Sequence, residues 1–348
     1  MVTESRIASI ATAVPKYLLR QEDVLPAAAS HFQGNNARFE RLMPVYRNAQ
    51  IDTRYSCVPL DWYGLDHGFA ERNELYLSNA VDLLATAACQ AVEAAELTLQ
   101  DIDGLVVVSS TGIATPSLDA LVMERLDLRR DIMRLPIFGL GCVGGVLGLA
   151  RTAALARAEP GRRILFLVVE LCGLTFRAND FTKSNIVATA LFGDGAAAAV
   201  VTSESDGPRV TGWGEHTWRD TLGIMGWGVR DDGLAVIFSR DIPALVRTKM
   251  REAAEAFLTG LGLRFVDIGS FVCHPGGAKV LDALEEIFGL TGGALTHSRD
   301  ILRRYGNMSA ATVMFVLKAT LDSGDPVPHL LSSLGPGFTA GFLVLDGT

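Results

Sequence analysis

Short apolar runs separated by alanine-rich stretches constrain the fold of this chain more than any other feature. Residues 104–109 and 163–170 are almost continuously apolar and rich in valine, isoleucine and leucine, and residues 196–202 are similar. Such runs suit strands that are buried on both faces of a parallel or mixed sheet covered by helices. The stretches at 78–95 and 143–158 predict helices between them. The pattern therefore predicts an α/β fold.

The second half of the chain repeats this alternation. Helices are predicted at 250–261, 278–288 and 308–321, a strand at 270–274, a strand pair within 330–345, and the first strand of the chain at 6–14. The polar, turn-rich segment 204–208 predicts a boundary between residues 1–204 and residues 205–348. Two such halves fit a five-layer arrangement of helices and sheets, although the sequence shows no strong internal repeat.

Composition and charge argue against several classes of protein. With 49% hydrophobic and 20% charged residues, the 348-residue chain buries a large core and is not disordered. A net charge of −8 argues against general nucleic-acid binding and against docking on anionic membranes. Residues 1–6 lack the pattern of a signal peptide, and no apolar run is long enough to span a membrane. The five cysteines are scattered without a C-x-x-C pair, so we expect a cytoplasmic protein without a disulfide framework or zinc site.

Cys142 is the strongest candidate for a catalytic residue. It lies in the sequence GCVGG at 141–145, at the start of a helix that is apolar on nearly every side and therefore belongs in the interior. The unpaired N–H groups and the dipole at a helix N-terminus favour thiolate over thiol. The flanking glycines allow a sharp turn and the close approach of a substrate. Because burial opposes ionisation, a nucleophilic Cys142 needs a partner; core packing is the alternative.

His274 and Asn307 are candidate partners of Cys142. His274 ends the predicted strand at 270–274, and α/β folds place their sites at the carboxyl ends of strands. A core histidine bonded to a backbone carbonyl is the alternative. Asn307 precedes an apolar helix, where asparagine is a frequent N-cap, and Ser309 could share that cap.

The three residue types together support a specific chemistry. An imidazole beside the thiol can form a thiolate–imidazolium pair. His274 and Asn307 can donate two hydrogen bonds to one carbonyl oxygen and so stabilise an enolate or oxyanion. Papain-like proteases use the same three residue types, but with a different motif at the nucleophile and with the asparagine orienting the histidine.

Five segments, in order along the chain, resemble the type III polyketide synthases, the chalcone synthase-like branch of the thiolase fold. They are GCVGG at 141–145, ALFGDGAA at 190–197, HPGG at 274–277, GNMS at 306–309 and GPG at 335–337. The resemblance implies a thiolase-like five-layer αβαβα fold built from two similar halves. It implies Cys142 as nucleophile, His274 and Asn307 as the decarboxylation and oxyanion pair, and Phe192 as an aromatic gate between a CoA tunnel and the reaction cavity.

The resemblance also implies which other residues contact substrate: Thr175, Ser309, Gly276 and Gly277 in the cavity, and Arg54 near the CoA phosphates. A cationic tunnel mouth on an acidic protein is what a CoA ester requires. Each assignment has a structural alternative: core packing for Phe192, a strand residue for Thr175, a helix cap for Ser309 and a solvated side chain for Arg54. Asp194 is expected to serve the turn at 193–195 and not the chemistry.

The chain departs from the plant members of this family at several cavity positions. Val236 stands where those members carry a second gatekeeper phenylalanine, and Thr115 replaces a bulky methionine at the wall contributed by the dimer partner. Trp227 stands where a small glycine lines the plant cavity, and Ala278 replaces a proline after the His motif. At these positions the chain resembles the bacterial members that form alkylpyrones or alkylresorcinols, in which an opened cavity wall admits a fatty acyl chain.

The activity implied by the resemblance is iterative. An acyl-CoA starter loads on Cys142, malonyl-CoA loses CO2 and extends it, and the product cyclises to a pyrone or a resorcinol. The resemblance implies no metal or redox cofactor. It does imply that the protein is a homodimer. Three alternatives stand beside this one: a ketoacyl synthase III-like single condensation, a chalcone synthase-like use of an aromatic CoA starter, and a non-catalytic acyl-binding protein. The sequence after His274 argues against the first, because that family carries a Gln-Ala-Asn-type sequence there.

Overall fold

The computed structural model describes residues 4–32 and 41–347 of the chain. Its strands are β1 (Ser5–Ala13), β2 (Tyr17–Arg20), β3 (Thr53–Ser56), β4 (Gly104–Val108), β5 (Met133–Ile137), β6 (Ile164–Leu171), β7 (Asp194–Thr202), β8 (Arg209–Thr217), β9 (Met225–Arg230), β10 (Gly233–Phe238), β11 (Ser270–Cys273), β12 (His329–Gly335) and β13 (Thr339–Asp346). Its α-helices are α1 (Gln21–His31), α2 (Pro44–Asn48), α3 (Phe69–Ala94), α4 (Leu118–Arg125), α5 (Gly144–Ala158), α6 (Lys183–Leu191), α7 (Ile242–Leu245), α8 (Arg251–Gly260), α9 (Ala278–Phe288), α10 (Thr296–Tyr305) and α11 (Thr312–Ser323).

Nine strands form one mixed sheet in the order β11-β12-β13-β8-β1-β7-β6-β4-β5. β4 runs parallel to β5 and β6, and β11 runs parallel to β12, whereas the other pairs are antiparallel. The strands of the two halves of the chain meet where β1 pairs with β8. Two further hairpins, β2–β3 and β9–β10, lie outside this sheet.

The sheet separates three apolar cores, which confirms the five-layer arrangement. Alternate side chains of β4, β6 and β7 point to opposite faces, as the two-residue period of a strand requires. One face packs on α3 and α4, and the other packs on α5 and α11. The strands of the second half also contribute to the α5–α11 core, and their opposite face packs on α8 and α9. The strands of the first half and those of the second half therefore form two sheet layers on either side of α5 and α11, and the order of layers is helix, sheet, helix, sheet, helix.

Two helices differ from the sequence prediction at their start. α3 begins at Phe69, nine residues before the predicted start, because Arg72 and Tyr76 are buried on its inner face despite their polar neighbours. The helix predicted from 308 begins as a tight 3₁₀ turn, Ser309–Ala311, and becomes α-helical at Thr312. The remaining predicted elements are present, including the strand pair β12–β13. The boundary between residues 204 and 205 stays a prediction.

α3 is long and apolar enough to cross a membrane, judged by length and composition alone, which corrects the expectation that no run reaches a spanning length. Its buried alanines and leucines pack on β1, β6 and β7. A core helix of a globular protein has the same properties, so α3 gives no support to a membrane span.

Candidate active site

Cys142, His274 and Asn307 line one small cavity, together with Gly276 and Phe238. The cavity measures about 20 Å³, room for roughly one water molecule. Cys142 is 9% exposed, His274 4% and Asn307 0%. Three residues that lie far apart in the sequence therefore meet at one buried cavity.

The backbone around Cys142 is held from two sides. Cys142 lies in a 3₁₀ turn, Gly141–Val143, that leads directly into α5. The Ser333 hydroxyl donates to the Cys142 carbonyl at 2.7 Å, and the Gly141 N–H donates to Ser110 Oγ at 3.1 Å. Gly141 has a φ of +50°, and a Cβ there would lie 2.6 Å from Pro336 Cδ. Only glycine fits this turn.

The glycines after Cys142 serve helix packing, which corrects one expectation. A Cβ on Gly145 would clash with the backbone oxygen of Ala310, and a Cβ on Gly144 would lie 2.7 Å from Val108 Cγ1. These glycines let the start of α5 approach β4 and the Ser309–Ala311 turn. They do not open a path for the substrate. The close approach brings Ser309 to Cys142, whose Sγ lies 3.5 Å from Ser309 Oγ.

Burial governs the protonation of the Cys142–His274 pair. Burial raises the pKa of Cys142 to about 12, with the Ser309 hydrogen bond acting against it and the Glu170 carboxylate adding to it. Burial lowers the pKa of His274 to about 3. Both shifts favour the neutral thiol and the neutral imidazole. The thiolate predicted from the sequence therefore requires the Cys142 proton to pass to a base.

The His274 ring has no hydrogen-bond partner at either nitrogen among the residues that the structure describes. Its backbone N–H donates to the Ser332 carbonyl at 2.8 Å, which fixes the end of β11. The alternative of a core histidine bonded to a carbonyl is therefore wrong. A buried polar group without a partner costs about 1–3 kcal/mol, so an unpaired imidazole at a cavity indicates a ligand-binding role.

Asn307 combines the two roles that the sequence left open. Its Oδ1 accepts the backbone N–H of Ser309 at 2.8 Å, a capping contact. Its Nδ2 donates to the Gly276 carbonyl at 3.3 Å, which leaves the second N–H of the amide for the cavity. Ser309 itself has a φ of +47°, a strained conformation for a residue with a side chain.

Glu170 is a functional candidate that the sequence analysis missed. It lies in β6 and is fully buried, with Oε2 accepting the Ser110 N–H at 3.0 Å and Oε1 accepting the Ser309 hydroxyl at 3.5 Å. Burial raises its pKa to about 7. Ser309 thus links Glu170 to the Cys142 thiol. The available signal was a lone carboxylate ending an apolar run, the pattern that singled out His274.

A second, larger cavity of about 580 Å³ adjoins this site. It is lined by Phe192, Thr175 and Val236, as predicted, and by further residues that include Tyr63, Cys172 and Phe176. The Phe192 ring lies 6.4 Å from the rings of both Trp227 and Phe238, and Phe238 also lines the small cavity. Phe192 therefore stands between the two cavities, where a gate would have to be. If Phe192 served only to pack the core, this would explain its contacts with Trp227 and Phe238 but not its place between the two cavities.

Four residues predicted to contact substrate line neither the small nor the large cavity: Thr115, Gly277, Trp227 and Ser309. Thr115 is exposed and lines neither cavity of its own chain. Gly277 is the N-cap of α9, behind the Gly276 carbonyl. Arg54 is 4% exposed, and its guanidinium donates to the carbonyls of Thr189 and Phe192. Arg54 also lines the large cavity. Its burial excludes the alternative of a solvated side chain, and its place near the CoA phosphates stays a prediction.

The described residues hold no group of histidine, cysteine and carboxylate side chains that could bind a metal ion. Asp194 is fully buried and accepts the backbone N–H groups of Gly173 at 2.7 Å and Cys57 at 3.0 Å. These contacts fit the turn-stabilising role expected for it.

Comparisons with known proteins agree over the full chain. Residues 4–205 match the N-terminal domain of chalcone and stilbene synthases, and residues 219–347 match the C-terminal domain. A putative chalcone synthase of Bacillus subtilis is 36% identical over 357 residues, which cover 98% of each chain. The 1,3,6,8-tetrahydroxynaphthalene synthase of Streptomyces peucetius is 38% identical over 348 residues, 97% of this chain and 92% of the relative. The crystal structure of 1,3,6,8-tetrahydroxynaphthalene synthase from Streptomyces coelicolor superposes with a TM-score of 0.94 at 26% identity, covering 99% of each chain.

Proposed function

Because this chain belongs to the chalcone and stilbene synthase family, we propose that Cys142 carries the growing acyl chain while His274 and Asn307 bind the extender. Members of this family are type III polyketide synthases, and this chain is an acyltransferase of that class, which catalyses condensations. The ketoacyl synthase III-like and non-catalytic alternatives are set aside on that ground. The observation that carries the residue assignment is the meeting of all three side chains at one buried cavity, with an unpaired imidazole.

Loading is the first step. The Cys142 thiol loses its proton to His274, and the sulfur attacks the thioester carbon of an acyl-CoA. The bond to CoA breaks, the CoA thiolate takes the proton from His274, and the acyl group stays on Cys142. Burial lowers the pKa of His274, so the imidazolium gives up this proton readily.

Extension follows in the same cavity. The thioester carbonyl of malonyl-CoA accepts hydrogen bonds from His274 and from the free N–H of Asn307, and CO2 leaves as the electron pair moves into the enolate. The enolate carbon attacks the Cys142 thioester, so a carbon–carbon bond forms and the Cys142 thiolate leaves. That thiolate then attacks the thioester carbon of the extended CoA ester, the bond to CoA breaks, CoA thiolate leaves, and the chain returns to Cys142.

The small cavity has room for only about one water, so admitting substrate requires neighbouring side chains to move. Phe192 and Phe238 lie on the side of the large cavity and are placed to do so. Their return excludes water and protects the acyl-enzyme from hydrolysis.

The starter is an acyl-CoA whose alkyl chain occupies the large cavity, and the product is a pyrone or a resorcinol. A volume of about 580 Å³ lies within the range typical of cavities that enclose a small molecule. Val236, in place of an aromatic second gate, lines this cavity together with Phe192 and fills less of it than a phenylalanine would. An aromatic CoA starter is the competing substrate.

One incubation distinguishes these substrates. The protein is supplied with malonyl-CoA and a ladder of saturated acyl-CoAs, plus an aromatic CoA ester, and the products are identified by mass spectrometry. We expect pyrone or resorcinol masses that increase with the alkyl starter. Products from the aromatic ester alone would refute the alkyl starter and leave the condensing activity intact.

We also place the working enzyme in the cytoplasm as a homodimer that requires no metal or redox cofactor. Phe138 directly follows the edge strand β5 and is 64% exposed. Ile113 lies two residues before Thr115 and is 45% exposed. Covering these apolar side chains with a second copy would also carry Thr115 toward the partner's cavity. Light scattering of the purified protein tests this, and a monomer at micromolar concentration would refute it.

A further inference from the structure

Arg54 packs against two segments that touch each other. One carries the proposed gate, Phe192, and the other carries the proposed oxyanion donor, Asn307. Arg54 belongs to β3 and is 4% exposed. Its Nη1 donates to the Thr189 carbonyl at 2.6 Å and to the Phe192 carbonyl at 3.1 Å. Its Nη2 donates to Gln21 Oε1. One guanidinium therefore joins the end of α6 to the start of α1.

The last three carbonyls of α6, those of Thr189, Ala190 and Leu191, accept hydrogen bonds from residues of other segments. The last carbonyls of a helix have no acceptor role within it. Here Arg54 donates to the Thr189 carbonyl and to that of the C-cap residue Phe192, Gln21 Nε2 donates to the Ala190 carbonyl at 3.2 Å, and the Asn307 N–H donates to the Leu191 carbonyl at 2.8 Å. A cation at this end also interacts favourably with the helix dipole. The position of the Asn307 backbone thus depends on where α6 ends.

Close packing ties the same two segments to the stem of Arg54. A Cβ on Gly193, which follows Phe192, would lie 3.3 Å from Arg54 Cβ. A Cβ on Gly306, which precedes Asn307, would lie 3.5 Å from the same atom. The Gly193 N–H donates to the Asn307 carbonyl at 3.0 Å, so the segments touch directly above the arginine.

Arg54 keeps its charge in this position. Burial lowers its pKa to about 10, which still leaves it protonated at neutral pH. Its planar fork serves several acceptors in fixed directions, which a lysine ammonium on a flexible stem does not reproduce.

We propose that Arg54 is a positioning residue that fixes the Phe192 and Asn307 segments relative to each other and so aims the Asn307 amide at the substrate carbonyl. Arg54 also lines the large cavity, but its guanidinium donates to the Thr189 and Phe192 carbonyls, and it acts on Asn307 through these segments. The inference rests on the proposed function for its kinetic readout, whereas the contacts themselves are open to a test that needs no activity.

The test compares Arg54→Met with Arg54→Lys and with a matched control, Arg72→Met. Arg72 is also 4% exposed and also donates to a carbonyl, that of Phe176, at 2.6 Å. We expect Arg54→Met to lower kcat for CO2 release from malonyl-CoA about 10- to 100-fold, the effect of a misplaced donor, with KM changed less than about threefold. Arg54→Lys recovers part of this loss, and Arg72→Met keeps its kcat. Alkylation of Cys142 by iodoacetamide stays near the wild-type rate in all three.

Hydrogen exchange gives the readout that does not depend on activity. In Arg54→Met the amides of Gly193 and Asn307 exchange faster, whereas in Arg72→Met they do not. A folded Arg54→Met with wild-type kcat and exchange overturns the inference, and so does an equal fall in Cys142 alkylation. If Arg54→Met does not fold, Gln21→Ala must show the faster exchange and lower kcat. A wild-type protein that releases no CO2 refutes the proposed function, and exchange alone then decides the role of Arg54.

Discussion

Replacing Val236 with phenylalanine should shorten the starter that the enzyme accepts. Val236 lies on β10, pairs with Trp227 of β9, and lines the large cavity together with Phe192. A phenylalanine ring at this position enters the space assigned to the far end of the alkyl chain. The neighbouring Ile237 does not line the large cavity; it lines an open cleft that Val236 borders as well.

The magnitude follows from the apolar contact that is lost. A phenylalanine in place of a valine takes the room of about three methylene groups, and each buried methylene contributes about 0.8 kcal/mol. Excluding them costs about 2 kcal/mol, or roughly a 30-fold loss in kcat/KM for the longest acyl-CoA that the wild type uses. The shortest acyl-CoAs do not reach Val236 and should keep their kcat/KM.

The assay measures kcat/KM across the acyl-CoA ladder for the wild type, Val236→Phe and Ile237→Phe. The diagnostic quantity is the ratio of long-chain to short-chain kcat/KM, because a general loss of folding or activity cancels in it. Ile237→Phe adds the same ring to the opposite face and should leave the ratio unchanged. An unchanged ratio in Val236→Phe, or an equal change in Ile237→Phe, refutes the placement of the chain in this cavity.

Two further predictions concern the small cavity. Cys142→Ala should abolish polyketide product but leave measurable CO2 release from malonyl-CoA, because His274 and Asn307 remain; product at the wild-type level would show that another nucleophile carries the chain. Burial raises the pKa of Glu170 from 4.5 to about 7, so the folded state holds a proton that the unfolded chain loses, and stability falls as pH rises between these values. Glu170→Gln removes this effect, on the order of 3 kcal/mol, and should gain stability relative to wild type between pH 5 and pH 8 in urea unfolding. An equal difference at both pH values would contradict the buried proton.

The sequence predicted those features that have a local signal. The buried strands are readable because a run such as that at 163–170 is apolar at every position, which few other structures require. Cys142 and His274 are readable because each lies at a strand or helix end bounded by glycines. Five ordered motifs then fixed the fold and the class of enzyme.

What the sequence did not predict depends on approaches between distant segments. Cys142 and Ser309 are 167 residues apart, and their contact follows from the packing of Gly145 on Ala310. Arg54 shows the same limit, because nothing in its neighbours indicates that its acceptors lie at the end of α6. Thr115 requires a second chain before its place in a cavity can be judged.

The burial that opposes ionisation of Cys142 also separates the two duties of His274. Loading needs a base, because burial keeps the thiol protonated, whereas decarboxylation needs only an N–H donor, which a neutral imidazole provides. His274→Gln keeps a donor and removes the base. It should therefore lower Cys142 acylation about 100-fold or more while retaining a larger fraction of CO2 release. Asn307→Ala should do the reverse, since it removes a donor and leaves the base in place. Acylation of His274→Gln at the wild-type rate, measured by intact-protein mass spectrometry, would mean that the helix N-terminus alone ionises the thiol.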